Sequence, residues 1–188
     1  MQTLIDQDKK ELFHLLKTKA FSRGKFILSS GKESSFYLDA RLVTLSAAGA
    51  YLTGRIMFNM VQSDWPDAIG GPTLGADPMV GAIASLSHQA GRPIDTFIIR
   101  KTPKAHGKQQ QIEGPSLKEG GSVVIIDDVA TTGKAFVESI EVLQKLNITI
   151  KKAICVIDRG EGAREALAQY NVPLESIFTV AEFLKWQS

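Results

Sequence analysis

The sequence predicts an α/β protein built on a doubly wound, mainly parallel sheet. From Ser46 onward, short runs rich in β-branched residues alternate with runs that have helical spacing. Successive β-α units of this kind pair their strands in parallel through right-handed crossovers, which puts helices on both faces of the sheet. The length of 188 residues and the hydrophobic fraction of 44% are ordinary for one globular domain. We therefore expect a single domain over residues 1–188, with residues 46–188 as its α/β core.

The first 45 residues depart from this alternation and predict a separate N-terminal layer. Met1 to Leu16 mixes apolar and charged residues in the manner of an amphipathic helix. Two extended segments follow, Phe26 to Ser29 and Ser35 to Arg41, joined around Gly31. Apolar and polar residues alternate in the second segment, which is typical of a strand with one solvent-exposed face. We expect residues 1–45 to form a helix and a small hood over the sheet.

The elements of the core are assigned from periodicity and from turn residues. In chain order they are a helix within Ser46–Ser63, a strand at Asp67–Gly70, a helix at Asp77–Gln89, strands at Asp95–Ile99 and Ser122–Ile126, a helix at Lys134–Leu146, a strand at Lys152–Ile157, a helix at Glu161–Tyr170, a strand at Ser176–Val180 and a helical turn ending near Trp186. The segment Arg100–Gly114 shows neither the helical nor the strand period of apolar residues and is predicted to be a loop. The carboxyl ends of the strands should meet at one edge of the sheet, where ligands bind in open α/β folds.

Charge and composition argue against several classes of protein. With 22 Lys and Arg against 20 Asp and Glu, the formal net charge is only +2, so no overall field attracts nucleic acid or an anionic membrane. No apolar run approaches the roughly 20 residues that a membrane-spanning helix needs. The N-terminal segment lacks the uninterrupted apolar stretch of a signal peptide, and the one cysteine, Cys155, fits a reducing compartment. We expect a cytoplasmic protein that binds neither nucleic acid nor membrane.

The most informative segment runs from Val123 to Ala135. Four β-branched residues lead to Asp127 and Asp128, and a Thr-Thr-Gly turn at residues 131–133 precedes the next helix. Adjacent carboxylates at the end of a buried strand can accept hydrogen bonds from sugar hydroxyls, and amides at a helix N-terminus can bind phosphate. The pattern therefore indicates a sugar phosphate ligand. A Walker A loop is excluded, because Asp128 stands where its first glycine would be and Ala135 where Ser or Thr would follow the lysine.

Two further features supply cations for an anionic ligand. The predicted loop carries four cationic or proton-carrying groups within eight residues, namely Arg100, Lys101, Lys104 and His106. Such a loop could close over a diphosphate and neutralise it as it leaves. Arg159 follows the next strand, at the same edge of the sheet as the acid pair, and its guanidinium could bind a planar carboxylate through two hydrogen bonds. Taken alone, these features are also compatible with a basic surface loop and a helix-flanking arginine.

Together these segments resemble the type I phosphoribosyltransferases. Val123–Ala135 resembles the signature with which that family binds phosphoribosyl diphosphate (PRPP). Arg100–Gly107 is similar to the mobile catalytic loop of the orotate phosphoribosyltransferases, and Ser29–Asp39 looks like the hood that covers the pyrimidine in the same enzymes. Asp158-Arg159 resembles their orotate-binding pair, and Gly71–Ala76 resembles their loop on the diphosphate side. The resemblance extends in chain order over most of the protein and implies the type I phosphoribosyltransferase fold.

The resemblance also implies which residues form the site. The residues that it implies for PRPP binding are Arg100, Lys101, Lys104, His106, Asp127, Asp128, Val129, Ala130, Thr131, Thr132, Gly133, Lys134 and Ala135. Those that it implies for orotate are Ser29, Tyr37, Thr131 and Arg159, and the catalytic residues are Lys101, Lys104, His106 and Asp128. One position departs from the pattern: Ser29 stands where some members carry Lys. That cationic contact is either missing here or supplied by another residue, for which Lys25 is a candidate.

The reaction implied by the resemblance is transfer of the 5-phosphoribosyl group of PRPP to orotate. The products are orotidine 5-phosphate and diphosphate, in a step of pyrimidine (UMP) biosynthesis. The resemblance further implies Mg2+ as cofactor, held mainly by PRPP and not by protein ligands, and a homodimer in which loop 100–114 reaches the partner's active site. Two alternatives stay open, a purine phosphoribosyltransferase and a regulator that senses PRPP without turning it over. Arg159 and the hood favour an anionic pyrimidine, and the intact basic loop favours an enzyme.

Overall fold

The computed structural model describes residues 2–27, 33–102 and 111–185. The helices are α1 (Gln2–Lys19), α2 (Arg41–Thr44), α3 (Ala47–Met60), α4 (Asp77–Gln89), α5 (Lys134–Gln144), α6 (Ala163–Ala168) and α7 (Val180–Lys185). The strands are β1 (Phe21–Ile27), β2 (Glu33–Leu38), β3 (Ala68–Pro72), β4 (Asp95–Ile99), β5 (Ile112–Glu113), β6 (Ser122–Ala130), β7 (Thr149–Asp158) and β8 (Leu174–Thr179). β1 and β2 form a hairpin, and the other strands form one sheet.

The larger sheet confirms the predicted doubly wound α/β fold. Its strand order is β5-β4-β3-β6-β7-β8, and among the described strands of this sheet only β5 runs antiparallel to its neighbour. Successive side chains of a strand point to opposite faces, and β6 shows the consequence. Val124 and Ile126 join a core cluster with α1, α3 and α4, whereas Val123 and Ile125 join a second cluster with α5 and α6. The central strand is therefore buried on both faces.

Strand register brings the ends of three strands to one edge of the sheet. Gly70 of β3 pairs with Ile125 of β6, and Ala130 at the end of β6 pairs with Asp158 at the end of β7. The segments that follow β3, β6 and β7 therefore start close together. This is the edge at which the sequence predicts a ligand.

The hood is formed by α1 and the β1–β2 hairpin. In the hairpin Phe21 lies opposite Leu38, and the Phe21 ring packs 5.7 Å from both Phe36 and Phe183, measured between ring centroids. Arg23 of β1 donates a hydrogen bond of 2.7 Å to the carbonyl oxygen of Leu184 in α7. These contacts fasten the hood to the last helix of the core.

Several predicted boundaries near the site were wrong. β1 begins at Phe21 and not at Phe26. Most of its residues are exposed, so the sequence does not show the alternation of apolar and polar residues that is typical of a strand. β5 lies inside the predicted loop Arg100–Gly114, since backbone pairing with β4 requires no apolar pattern. β6 continues past Ile126 to Ala130, because it stays paired with β7 as far as Asp158. The acid pair is therefore part of the strand and not of the turn that follows it.

Two further boundaries differ where a turn interrupts the expected element. The second extended segment ends at Leu38, and Arg41 instead begins α2. The helix predicted from Glu161 starts at Ala163, because Gly160 and Gly162 have positive φ angles of 68° and 103° that a right-handed helix does not accept. Ser29, Gly31 and Trp186 lie outside the described residues. No helix in the described part of the chain has the length and apolar character needed to cross a membrane.

Candidate active site

A cavity of about 540 Å³ opens at the carboxyl edge of the sheet. Residues from four parts of the chain line it: Asp39 and Arg41 from the hood, Thr73 to Gly75 after β3, Arg100 and Lys101 after β4, and Asp127 and Asp128 from β6. Its size suits a small organic ligand. The cavity therefore brings together three of the sequence motifs and a part of the hood.

The acid pair is held in place by the strand and by the loop after β3. Asp127 is only 8% exposed, and its Oδ1 accepts a hydrogen bond of 2.9 Å from the amide of Asp128. Asp128 Oδ1 in turn accepts one of 2.8 Å from the amide of Val129. A Cβ added to Gly75 would overlap Asp127 Oδ1 and lie 2.6 Å from Asp128 Oδ1. Because glycine has no side chain, the loop after β3 can approach both carboxyl groups closely at Gly75.

Burial raises the pKa of both acids. For Asp127 the neighbouring carboxylate of Asp128 raises the pKa further, whereas the positive charge of Lys101 acts in the opposite direction. For Asp128 the guanidinium of Arg41 is among the groups that lower the pKa against the effect of burial. Two buried carboxylates side by side destabilise the folded state when both are ionised. Pairs of this kind are typical of sites where a ligand supplies the missing partners.

We expect Asp127→Asn to raise the melting temperature at neutral pH. Asparagine keeps an oxygen for the Asp128 amide but carries no charge to desolvate. Because the folded-state pKa of Asp127 is raised, the folded protein binds more protons than the unfolded chain, and stability falls as pH rises through that pKa. A gain of ~1 kcal/mol corresponds to about 2 to 4 °C in a chain of this size. Thermal melts across the acidic and neutral range should show a smaller loss with pH in the variant.

The matched control is Asp95→Asn, an exposed acid at the start of β4. Surface changes of this kind usually alter stability by less than ~0.5 kcal/mol. A variant Asp127→Asn that melts below wild type at neutral pH, with the same pH dependence, would show that the carboxylate stabilises the fold.

The turn after β6 has the geometry of a phosphate-binding turn. Gly133 immediately precedes α5 and has a φ of 82°, a left-handed conformation that other residues rarely adopt. An added Cβ there would come within 3.0 Å of Leu167 and 3.1 Å of Ala163. The first amides of a helix have no intrahelical acceptor, so the start of α5 offers donors to an anion. The exposed side chain of Thr132 adds a hydroxyl beside them.

The remaining residues of the signature differ in how they face the site. Val129 and Ala135 line the cavity. Ala130 is buried, and its carbonyl oxygen accepts a hydrogen bond of 2.9 Å from the amide of Arg159. The Lys134 side chain is 82% exposed and lies 3.8 Å from Glu138 on the next turn of α5. That ammonium group therefore points into solvent, where it remains free to move toward an anion.

Arg159 is placed between the end of β7 and the hood. Its side chain is 11% exposed, and its guanidinium lies 2.8 Å from Glu161 and 5.0 Å from the centroid of the Phe36 ring. Nε is buried and has no hydrogen-bond partner among the described residues. Asp158 braces the turn, because its carboxylate accepts from the Gly160 amide at 2.9 Å and from Arg164 at 2.7 Å. A buried guanidinium with an unused donor is suited to a ligand carboxylate.

The described part of the basic loop begins and ends at the cavity wall. The amide of Arg100 donates to the carbonyl of Gln111 at 2.8 Å, and the Gln111 side chain donates to the carbonyl of Arg100 at 3.3 Å. The guanidinium of Arg100 pairs with Glu113 at 3.1 Å. Lys101 lines the cavity, near enough to Asp127 to affect its pKa. Lys104 and His106 lie outside the described residues, so their roles stay predictions.

The hood places an aromatic ring other than Tyr37 beside Arg159. Phe36 and Tyr37 point to opposite faces of β2, and the structure brings Phe36 over the guanidinium. Tyr37 is 45% exposed and packs against Phe26, with 5.6 Å between the ring centroids. A role for Tyr37 in binding orotate stays a prediction, as does that of Ser29.

Sequence reasoning missed Asp39, Arg41, Phe36 and the close approach of Gly75. A charged pair two residues apart, Asp39 and Arg41, was visible at the end of the hood segment. Nothing in its spacing indicated that the turn into α2 would carry both residues to the cavity. The described residues contain no group of three or more His, Cys, Asp or Glu side chains that could hold a metal ion by themselves.

Comparison with known proteins gives a consistent result. Residues 46–184 match the family model described as "Phosphoribosyl transferase domain". An orotate phosphoribosyltransferase of Synechocystis sp. is 39% identical over 176 residues, which cover 94% of this chain and 88% of that protein. Among solved structures, Mycobacterium tuberculosis H37Rv orotate phosphoribosyltransferase in complex with Fe(III) dicitrate has a TM-score of 0.81 and 36% identity, covering 94% of this chain and 98% of that one. The same enzyme in complex with PRPP has a TM-score of 0.78 and 33% identity, with the same coverage.

Proposed function

The chain belongs to the phosphoribosyltransferase family and, within it, to the orotate phosphoribosyltransferases, and on this premise we propose how its residues transfer the phosphoribosyl group of PRPP to orotate. The enzyme is a glycosyltransferase that moves a pentosyl group, and it forms orotidine 5-phosphate and diphosphate in pyrimidine biosynthesis. The observation that carries the proposal is that the acid pair lines the cavity at the edge of the sheet where the phosphate turn follows β6 and Arg159 follows β7.

PRPP binds across the end of β6. Asp127 and Asp128 accept hydrogen bonds from the two ribose hydroxyls, in addition to those that they accept from the amides of Asp128 and Val129. The 5-phosphate takes the amides of the turn at residues 131–133 and the start of α5. The diphosphate then extends toward the loop after β3 and the cations after β4. This arrangement fixes the anomeric carbon between the leaving group and the base.

The main chemical problem is the charge that develops on the departing diphosphate. As the bond from the anomeric carbon to the diphosphate oxygen breaks, that oxygen keeps the electron pair, and a ring nitrogen of orotate forms the new bond. Lys101, with Arg100, Lys104 and His106 of the same loop, disperses the charge from above the cavity. The negative charge of orotate is on its carboxylate, so the attacking ring nitrogen loses its proton to water or to the departing diphosphate as the new bond forms.

Mg2+ fits this site as an ion that arrives with the donor. The described residues supply no three-ligand cluster, and the acid pair already accepts hydrogen bonds from the chain, so the protein alone is a poor metal cage. Its two carboxylates, whose pKa values are raised by burial, nevertheless suit a neighbouring cation. When bound, Mg2+ would neutralise part of the negative charge of the diphosphate.

Arg159 binds the carboxylate of orotate. The unused donor at Nε and the Phe36 ring, 5.0 Å from the guanidinium, suit a planar anion beside the end of β7. Arg159→Ala should therefore weaken orotate and orotidine 5-phosphate while the affinity for PRPP changes little. A charge-assisted hydrogen bond of this kind contributes roughly 1.5 to 3 kcal/mol, or about ten- to 150-fold in affinity. Calorimetric titration of each ligand measures the difference.

Arg159→Lys is the matched variant, because it keeps the charge and removes the planar fork. We expect it to recover only part of the lost orotate affinity. Equal losses for orotate and PRPP in Arg159→Ala would show that Arg159 supports the fold of the site and does not select the base.

One assay tests the proposed function directly. Purified protein is given PRPP and Mg2+ with orotate, and in parallel with adenine, hypoxanthine or uracil, while the loss of each base is followed by absorbance. We expect turnover of orotate alone. Turnover of a purine would support the purine phosphoribosyltransferase alternative, and PRPP binding without turnover of any base would support the regulator.

The assembly and location of the enzyme complete the proposal. We propose a homodimer in which loop 100–114 reaches the partner's active site, as the family resemblance suggests, while Arg100 and Lys101 at its start line the cavity of their own chain. The buried free thiol of Cys155, whose pKa is raised by burial, supports a protein of a reducing compartment such as the cytoplasm.

A further inference from the structure

The hood contributes a fixed cation to the wall of the cavity. Asp39 and Arg41 come from the turn between β2 and α2 and line the same cavity as the acid pair and the loop Thr73–Gly75. Arg41 Nε donates to Asp39 Oδ1 at 2.9 Å, and Arg41 Nη2 donates to Asp39 Oδ2 at 3.0 Å. The backbone amide of Arg41 donates to the same carboxylate at 3.1 Å. These three bonds hold the guanidinium in one orientation.

One edge of the Arg41 fork remains available for a ligand. Asp39 occupies the edge formed by Nε and Nη2, and no described residue accepts a hydrogen bond from Nη1. The side chain is 47% exposed, while Asp39 is 19% exposed. A guanidinium that is already fixed loses little conformational freedom when it binds an anion. Arg41 therefore has both the donors and the rigidity that recognition of phosphate oxygens requires.

The charges of the cavity wall explain why such a cation is needed. Asp39, Asp127, Asp128, Glu138 and Glu141 all line the cavity, whereas the ligand is itself a polyanion. The described cations on the wall are Arg41, Arg100, Lys101 and Lys145, of which Arg100 is paired with Glu113 and Arg41 with Asp39. Arg41 is also close enough to Asp128 for its charge to affect that carboxyl group. It can thus offset the acid pair and bind the ligand at the same time.

We propose that Arg41 binds the diphosphate of PRPP and that Asp39 is the positioning residue that orients its guanidinium. The inference rests on the proposed function, because the diphosphate is taken from that reaction. The diphosphate end is favoured over the 5-phosphate, since Arg41 shares its wall with Thr73–Gly75, Arg100 and Lys101, whereas the phosphate turn at residues 131–133 lies at the start of α5. The hood then recognises the donor as well as the base.

The test compares ligands with and without a diphosphate. In calorimetric titrations with Mg2+, Arg41→Gln should weaken PRPP and inorganic diphosphate by about ten- to 100-fold and orotidine 5-phosphate by less than about two-fold. Arg41→Lys should recover part of the loss. Asp39→Asn should raise the KM for PRPP several-fold with little change in kcat, since it frees the guanidinium without removing it. Arg92→Gln is the matched control, because Arg92 packs over Trp65 and bonds Gln62 away from the cavity.

The outcomes separate this inference from the proposed function. Unchanged affinity for PRPP and diphosphate in a folded Arg41→Gln protein would overturn the role of Arg41. Equal weakening of orotidine 5-phosphate would also overturn it, because a general loss indicates that Arg41 only supports the hood. Wild-type protein that binds diphosphate through Arg41 but does not turn over orotate would refute the reaction and leave the phosphate contact standing. If Arg41→Gln does not fold, Arg41→Lys and the Asp39→Asn KM measurement decide the question.

Discussion

Lys104→Ala is expected to lower kcat by about 10²- to 10³-fold while the ground-state affinity for PRPP changes little. The reason is that the loop acts on charge that exists only as the diphosphate departs, and an interaction realised in the transition state affects kcat more than binding. The described ends of this loop lie at the wall of the cavity. Arg100 and Gln111 are hydrogen-bonded at the wall of the cavity, so the chain that joins them starts and ends beside the acid pair.

The measurement is a comparison of steady-state kcat with PRPP affinity from titration. Lys108→Ala is the matched control, because it removes a lysine of the same segment that lies outside the Arg-Lys-x-x-Lys-x-His-Gly pattern. We expect it to leave kcat nearly unchanged, because it keeps every residue of that pattern. An unchanged kcat in Lys104→Ala, with only a raised KM, would remove Lys104 from the catalytic role and leave it as a binding residue.

Helices and strands were predictable wherever the apolar residues repeat with a clear helical or strand period. The helix Asp77–Gln89 and the strand Asp95–Ile99 were predicted with the bounds that the structure shows. Their apolar residues face a core, and burial imposes the period that the sequence displays. β5 and the first five residues of β1 were missed for the opposite reason. Their residues are exposed or half-buried, so these strands are stabilised mainly by backbone pairing with a neighbouring strand. Backbone pairing does not require apolar residues at regular positions, so the sequence shows no pattern there.

The same distinction separates the predictable and unpredictable parts of the site. The acid pair and the turn at residues 131–133 are contiguous, so the end of one buried strand placed them together. The contact of Gly75 with that pair joins residues more than 50 positions apart, and so does the packing of Phe36 on Arg159. Contacts of that range depend on strand order and on how the hood sits, which one sequence does not display. The Asp39–Arg41 fork was visible as a pair but not as part of the cavity.

These contacts also explain how one site can serve two anionic substrates. Burial raises the pKa values of Asp127 and Asp128, and the cations nearest to them come from separate elements, Arg41 from the hood and Lys101 from the loop after β4. The charge of the cavity is thus balanced only when several elements meet. We infer that binding of PRPP completes this balance, since its hydroxyls satisfy the acids and its phosphates satisfy the cations.

Mixing two inactive variants is expected to restore roughly a quarter of wild-type activity. Lys104→Ala has an intact acid pair and a defective loop, whereas Asp128→Asn has a defective acid pair and an intact loop. If the loop of one subunit serves the site of its partner, each mixed dimer contains one site with both parts intact and one site with neither. Random exchange makes about half of the dimers mixed, and half of their sites then work. The measurement is activity after subunit exchange, which is monitored independently with differently tagged chains.

The control mixes Lys104→Ala with His106→Ala, two lesions two positions apart in the same part of the loop. No arrangement of these chains creates an intact loop, so activity should stay at the level of the separate variants whichever way the loop reaches. Recovery in the first mixture and not in the second can arise only if the loop crosses between subunits. With demonstrated exchange and no recovery in the first mixture, the loop would serve its own chain. Lys101, which lines the cavity of the same chain, would then act where the structure already places it.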